Sequence, residues 1–125
     1  KDMEIISYVI QGGLTHGDTM GNRNTIYRGE VQYMSAGTGV YHSEQNIGDE
    51  IIRSLQIWVL PDKKGYKPAY GDYKFKEEDR KNKWLNIVSS KDGNAPIKIN
   101  QEDINIKANK KSHILVIEMK KQLKW

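Results

Sequence analysis

No cysteine occurs in the 125 residues of this chain. That excludes disulfides, thiolate catalysis and cysteine zinc sites together, and leaves His, Asp and Glu as the metal-ligating side chains of note. Long apolar runs are also lacking. The longest, Ile5-Ile6 through Ile10 and Ile114 through Ile117, are strand-sized, so neither can form a membrane-spanning helix. No signal-peptide or lipidation pattern is visible, and the chain opens on Lys1 instead of methionine, as a trimmed or partial chain would. A cytoplasmic location is the expectation. There is no glycine-rich phosphate loop and no aromatic stacking platform, which bears on how the charge is read. Residues 1–60 carry four basic and seven acidic side chains, and residues 61–125 carry sixteen basic and nine acidic. The basic excess of the second half is lysine apart from Arg80, spread through Asn/Lys/Ile-rich sequence. It reads as a solvated surface, and neither nucleic acid nor membrane is expected as a partner.

What is present suits a modest core: 37% of residues are apolar and 29% charged, enough for one domain or one domain plus part of another. Ile5 to Ile10 alternates Ile6, Tyr8 and Ile10 against Ile5, Ser7 and Val9, the pattern of a strand buried on one or both faces. Gly12-Gly13 punctuates it and Leu14-Thr15-His16 starts a second strand. Thr25 to Arg28, Val31 to Ser35, Val40 to Glu44 and Ile52 to Leu60 follow as strands. They are separated by turn clusters at Met20 to Asn24, at Arg28-Gly29-Glu30 and at Ala36-Gly37-Thr38-Gly39. Pro61 to Tyr73 reads as an irregular connection carrying Tyr66, Tyr70 and Tyr73, and Phe75 to Arg80 as a helical turn with a thin apolar face. Trp84 to Val88, Ile97 to Asn100, Ile104 to Ala108 and Ile114 to Glu118 are further strands. Short strands at this spacing indicate an all-β sandwich or barrel.

His42-Ser43-Glu44 carries the most chemistry. Alternation along an extended chain puts His42 and Glu44 on one face, where an imidazole and a carboxylate can converge on one cation or one substrate proton. The other reading is a hydrogen-bonded His–Glu pair on a barrel face. His16 is either a substitute third donor or, as strand histidines more often are, the partner of a neighbouring turn residue such as Asp18. Gln32, Met34 and Trp58 either line the interior beside the site or pack in the core. His113 lies between Ser112 and Ile114 with no evident role.

Several blocks resemble, in order, the pirin family of the cupin superfamily, which includes bacterial quercetin 2,3-dioxygenase-like proteins. They are Asp2 to Gly12, His16-Gly17-Asp18-Thr19-Met20-Gly21-Asn22, Gly29 to Gly39, His42-Ser43-Glu44 and Leu55-Gln56-Ile57-Trp58-Val59. A weaker match runs through Tyr70 to Gln101. The resemblance implies a cupin-type β-barrel or jelly roll, incomplete at the N-terminus and apparently truncated at both ends, with part of a second barrel. Residues 1–61 would form the N-terminal core, 62–94 a connecting segment, and 95–125 partial second-barrel strands or a divergent tail. It also implies a mononuclear divalent metal, iron by expectation, with His42 and Glu44 matching two family ligands and Glu44 also acting in catalysis as proton acceptor. The family's other ligands belong to a His-Pro-His element just before the segment matching Lys1 to Glu4, and this sequence does not contain it. Glu4 matches a carboxylate position that the family does not use as a ligand, which implies a supporting contact. The expected function is a quercetinase-type dioxygenase acting on a small aromatic, flavonol-like substrate, impaired here because two donors hold metal weakly. Two alternatives stand beside it: a non-catalytic module resembling transcriptional coregulators, and an inactive protein that self-associates through an open barrel edge.

Overall fold

The computed structural model describes residues 3–35, 41–79, 84–100, 105–109 and 114–118. The bend expected at Ala36 to Gly39 and the residue His113 lie outside the described residues. The chain divides into two compact units, Lys1–Phe75 and Lys76–Trp125.

In the first unit the strands are β1 (Glu4–Gln11), β2 (Gly13–Asp18), β3 (Arg23–Tyr27), β4 (Glu30–Ser35), β5 (His42–Gln45), β6 (Arg53–Val59) and β7 (Ala69–Lys74). They form two antiparallel sheets, one in the order β6-β1-β4-β7 and the other β3-β2-β5. Neither sheet closes on itself among the described residues. The second unit holds a 3-10 turn at Glu77–Asp79 and the strands β8 (Leu85–Ser90), β9 (Ile97–Ile99), β10 (Asn105–Asn109) and β11 (Ile114–Glu118), in the order β11-β10-β8-β9. The β8–β9 pair is parallel, and the other pairs of that sheet are antiparallel. The fold is all-β and cupin-type, as expected. Among the described residues no helix is long and apolar enough to cross a membrane.

β1 lies between β6 and β4, so both of its edges are paired, and Glu4 through Val9 are buried without a break. One face carries Ile5, Ser7 and Val9, and the other Glu4, Ile6 and Tyr8. Val9 meets Leu14 of β2 and Ile26 of β3, with Ile52 packed against them. Each such buried aliphatic side chain contributes about 1.5–3 kcal/mol, and together they form an apolar floor where the two sheets face one another. The chain passes from β1 into β2 through Gly12, whose φ of 77° is in the left-handed region.

Two expectations change at this level. Ala69–Lys74, read as part of an irregular connection, is the strand β7, paired along the whole of β4. Trp58 is not core: it stands on the outer strand β6 and is 61% exposed, with its Nε1 3.5 Å from Gln56 Oε1. Met34, by contrast, is buried. Glu4 is also buried, on the β1 face opposite Ser7, where it accepts a 2.5 Å hydrogen bond from Tyr33 Oη. Burial, and after it the contact with Glu4, pushes the Tyr33 phenol up from its ordinary range.

Candidate active site

Register builds the site. In the β2–β5 pair His16 lies opposite Glu44 and Asp18 opposite His42, while in the β2–β3 pair His16 lies opposite Asn24. Side chains opposite one another share a face, so His16, Asp18, Asn24, His42 and Glu44 all project from one side of the smaller sheet. That side also bears Leu14 and Ile26 of the apolar floor. The larger sheet answers with Gln32, Met34, Tyr70 and Asp72, which share a face because Gln32 pairs with Asp72 and Met34 with Tyr70.

His16 is fully buried at the centre of this group. Its Nε2 lies 2.7 Å from Asp18 Oδ2. Burial acts to raise the Asp18 carboxyl, but hydrogen bonds from His16, from the Asn22 side chain and from the backbone N–H groups of Asn22 and Met20 outweigh it and hold the group at about 2. An ionised Asp18 only accepts, so Nε2 carries the proton and donates. On the other side of the ring, Nδ1 is 3.6 Å from Glu44 Oε1, beyond hydrogen-bond distance, and has no hydrogen-bond partner among the described residues. The His16 ring stacks with Tyr70, centroids 4.4 Å apart and planes 19° from parallel, and lies near-parallel to His42 at 6.0 Å.

Glu44 is 17% exposed in its side chain and unevenly partnered. Its Oε1 accepts a 2.9 Å bond from Gln32 Nε2, whereas its buried Oε2 has no hydrogen-bond partner among the described residues. Behind Gln32, the single phenolic proton of Tyr70 is shared between Gln32 Oε1 at 3.3 Å and Asp72 Oδ2 at 3.0 Å, and Asn24 Nδ2 donates to Asp72 at 2.6 Å. Burial first, then Asp72, pushes the Tyr70 phenol up, so it remains a protonated donor at neutral pH.

The structure thus places His42 and Glu44 on one face. It assigns His16 to Asp18, turns Gln32 into a polar partner of Glu44, and adds Tyr70, Asp72 and Asn24. Asp72 and Asn24 carried no sequence signal: they matter only through the pairing of β7 with β4 and of β3 with β2. The donor set fits a metal in part. An exposed imidazole and a carboxylate with one unpartnered oxygen share a face, but among the described residues no three His, Asp or Glu side chains converge on one point that could hold an ion.

Two antiparallel sheets facing one another across this polar group define the class, a cupin-type β protein. The Pirin family model matches residues 1–59, and the chain belongs to the pirin family. It is 43% identical over 89 residues to a pirin-like protein of Caulobacter vibrioides, covering 71% of this chain and 38% of that one. To the quercetin 2,3-dioxygenase of Escherichia coli K12 it is 46% identical over 76 residues, 60% of this chain and 33% of the enzyme. The crystal structure of the bacterial pirin YhhW of Escherichia coli in complex with nickel(II) superposes with a TM-score of 0.74 at 35% identity, over 87% of this chain and 45% of that one. The chain therefore spans less than half the length of these relatives.

Proposed function

We propose that this chain carries the His42 and Glu44 part of a quercetinase-type, metal-dependent dioxygenase site for a flavonol-like substrate. The supporting observation is the position of Glu44: one carboxylate oxygen is held by Gln32, the other has no hydrogen-bond partner among the described residues, and His42 projects from the same face of the sheet. A divalent metal, with iron the expectation, would supply Lewis acidity to hold the substrate's phenolate oxygen. His42 would be a ligand, and Glu44 a ligand and the acceptor of the substrate's acidic hydroxyl proton. Two donors alone hold metal weakly, because water replaces each missing donor and the chelate advantage falls. Full activity on this reading requires donors additional to His42 and Glu44.

The test joins a His-x-His segment ahead of Lys1. The extended chain is expected to bind close to one equivalent of metal and to consume oxygen with quercetin, and the 125-residue chain to do both poorly. Glu44→Gln in the extended chain lowers oxygen uptake by about 10²- to 10⁴-fold, the usual size of a positioned acid–base group. An extended chain showing neither bound metal nor uptake overturns the proposal.

One observation favours a second reading, self-association. Among the described residues β6 is an outer strand whose Leu55 and Trp58 are both exposed, and an uncovered strand edge is a template for another chain.

A further inference from the structure

We propose that Gln32 is the positioning residue for Glu44, committing Oε1 so that Oε2 alone is presented to a ligand and Glu44 acts through a single oxygen. The inference rests on the metal reading of Glu44 given above. A carboxylate on a short strand has two equivalent oxygens and a terminal torsion with a broad, roughly two-fold minimum, so nothing in the glutamate itself selects one of them. Gln32 breaks that symmetry. Its side chain is fully buried on the facing sheet, and its amide donates to Oε1 at 2.9 Å.

The amide is itself oriented. Tyr70 Oη lies 3.3 Å from Gln32 Oε1 and donates to it. A carboxylate oxygen only accepts, so Glu44 Oε1 takes the NH₂ end of the Gln32 amide and leaves its carbonyl end to Tyr70. Tyr70 is in turn tied to Asp72, and Asp72 to Asn24 of the smaller sheet. The chain of contacts leaves one sheet at Glu44 and returns to it at Asn24, so the carboxylate's orientation is set by how the two sheets face each other. On the remaining side His16, locked by Asp18, lies 3.6 Å from the same Oε1. Both neighbours lie against Oε1, and Oε2 has no hydrogen-bond partner among the described residues.

Groups that orient a ligand typically change metal affinity by about 10- to 100-fold when removed. The test titrates the 125-residue chain with nickel(II) alone, up to millimolar concentration, following paramagnetic broadening of the His42 ring signals. Gln32→Met, which keeps the volume and loses the donor, is expected to weaken nickel binding by about tenfold or more, and Tyr70→Phe by less. Ile6→Val, at a buried residue on the opposite face of the larger sheet, is expected to leave nickel affinity unchanged even where it shifts the melting temperature. In the metal-free chain, Glu44→Gln should also move the Gln32 side-chain amide proton signals, which reads the contact without any ion. Unchanged nickel affinity in Gln32→Met, alongside a clear loss in Glu44→Gln, overturns the positioning role and leaves the metal reading intact. Nickel binding that is absent, or indifferent to Glu44→Gln, overturns both.

Discussion

Asp18 does more at the level of the single residue than its place in a turn suggests. One carboxylate closes the turn after β2 by accepting from the backbone N–H groups of Met20 and Asn22, and its other oxygen fixes the His16 ring. Its folded-state pKa of about 2 lies below the ordinary 3.8. A depressed carboxyl stabilises the fold at pH values above its unfolded pKa, and that contribution is lost as pH falls through the folded one. The Asp18 share of stability is therefore complete above about pH 4 and lost between about pH 4 and pH 2. Asp18→Asn removes the charge and sets an amide NH₂ against existing donors, and should cost about 1.5–3 kcal/mol at neutral pH. Urea unfolding between pH 2 and 7 checks both parts, since the variant should lose stability at neutral pH and show a shallower acid slope. Identical slopes for the two proteins would show that Asp18 is not held in this way.

At the level of the element, the site depends on strand register, because a one-residue slip of β2 would turn His16 and Asp18 to the outer face. The chain enters β2 from β1 through Gly12. Its φ of 77° costs an L side chain about 1–2 kcal/mol, and a Cβ there would come within 2.8 Å of the Ile51 carbonyl oxygen. Gly21 has a φ of 89° but nothing within 4 Å of its Cβ position. Gly12→Ala should thus destabilise clearly more than Gly21→Ala in denaturant unfolding, and equal losses would assign the whole effect to backbone strain. The same contrast between local and long-range causes decides what the sequence reveals. β1 and β4 are legible because their apolar alternation is their own property, and His42 and Glu44 are legible because two-residue spacing suffices to put them on one face. β7 is not, because Ala-Tyr-Gly-Asp-Tyr-Lys has little apolar character and becomes a strand only by pairing with β4. The Gln32–Tyr70–Asp72–Asn24 chain is hidden for the same reason: residues up to 48 positions apart meet only after two sheets have formed.

For the molecule as a whole, the deciding feature of the first unit is the unequal cover of its larger sheet. β1 and β4 are paired on both sides, while β6 has a partner only in β1 among the described residues. Side chains on both faces of β6 are open, Leu55 at 40% and Trp58 at 61% exposure. Strand alternation explains the misreading of Trp58: the period places it on the Ile5 and Ser7 face, but a period says nothing about whether that face is covered where the sheet ends. An apolar strand with one unpaired edge lowers its free energy by pairing with a second copy, and lysine on such a strand opposes this through repulsion and the cost of stripping water from a charge. The unsubstituted chain should then sediment with a concentration-dependent mass, and the Leu55→Lys/Trp58→Lys double variant should shift toward the monomer. Glu44→Gln should leave association unchanged, because that carboxylate lies on the smaller sheet and is not part of the β6 edge. A stable monomer at high concentration for the unsubstituted chain would remove self-association and leave the dioxygenase reading alone.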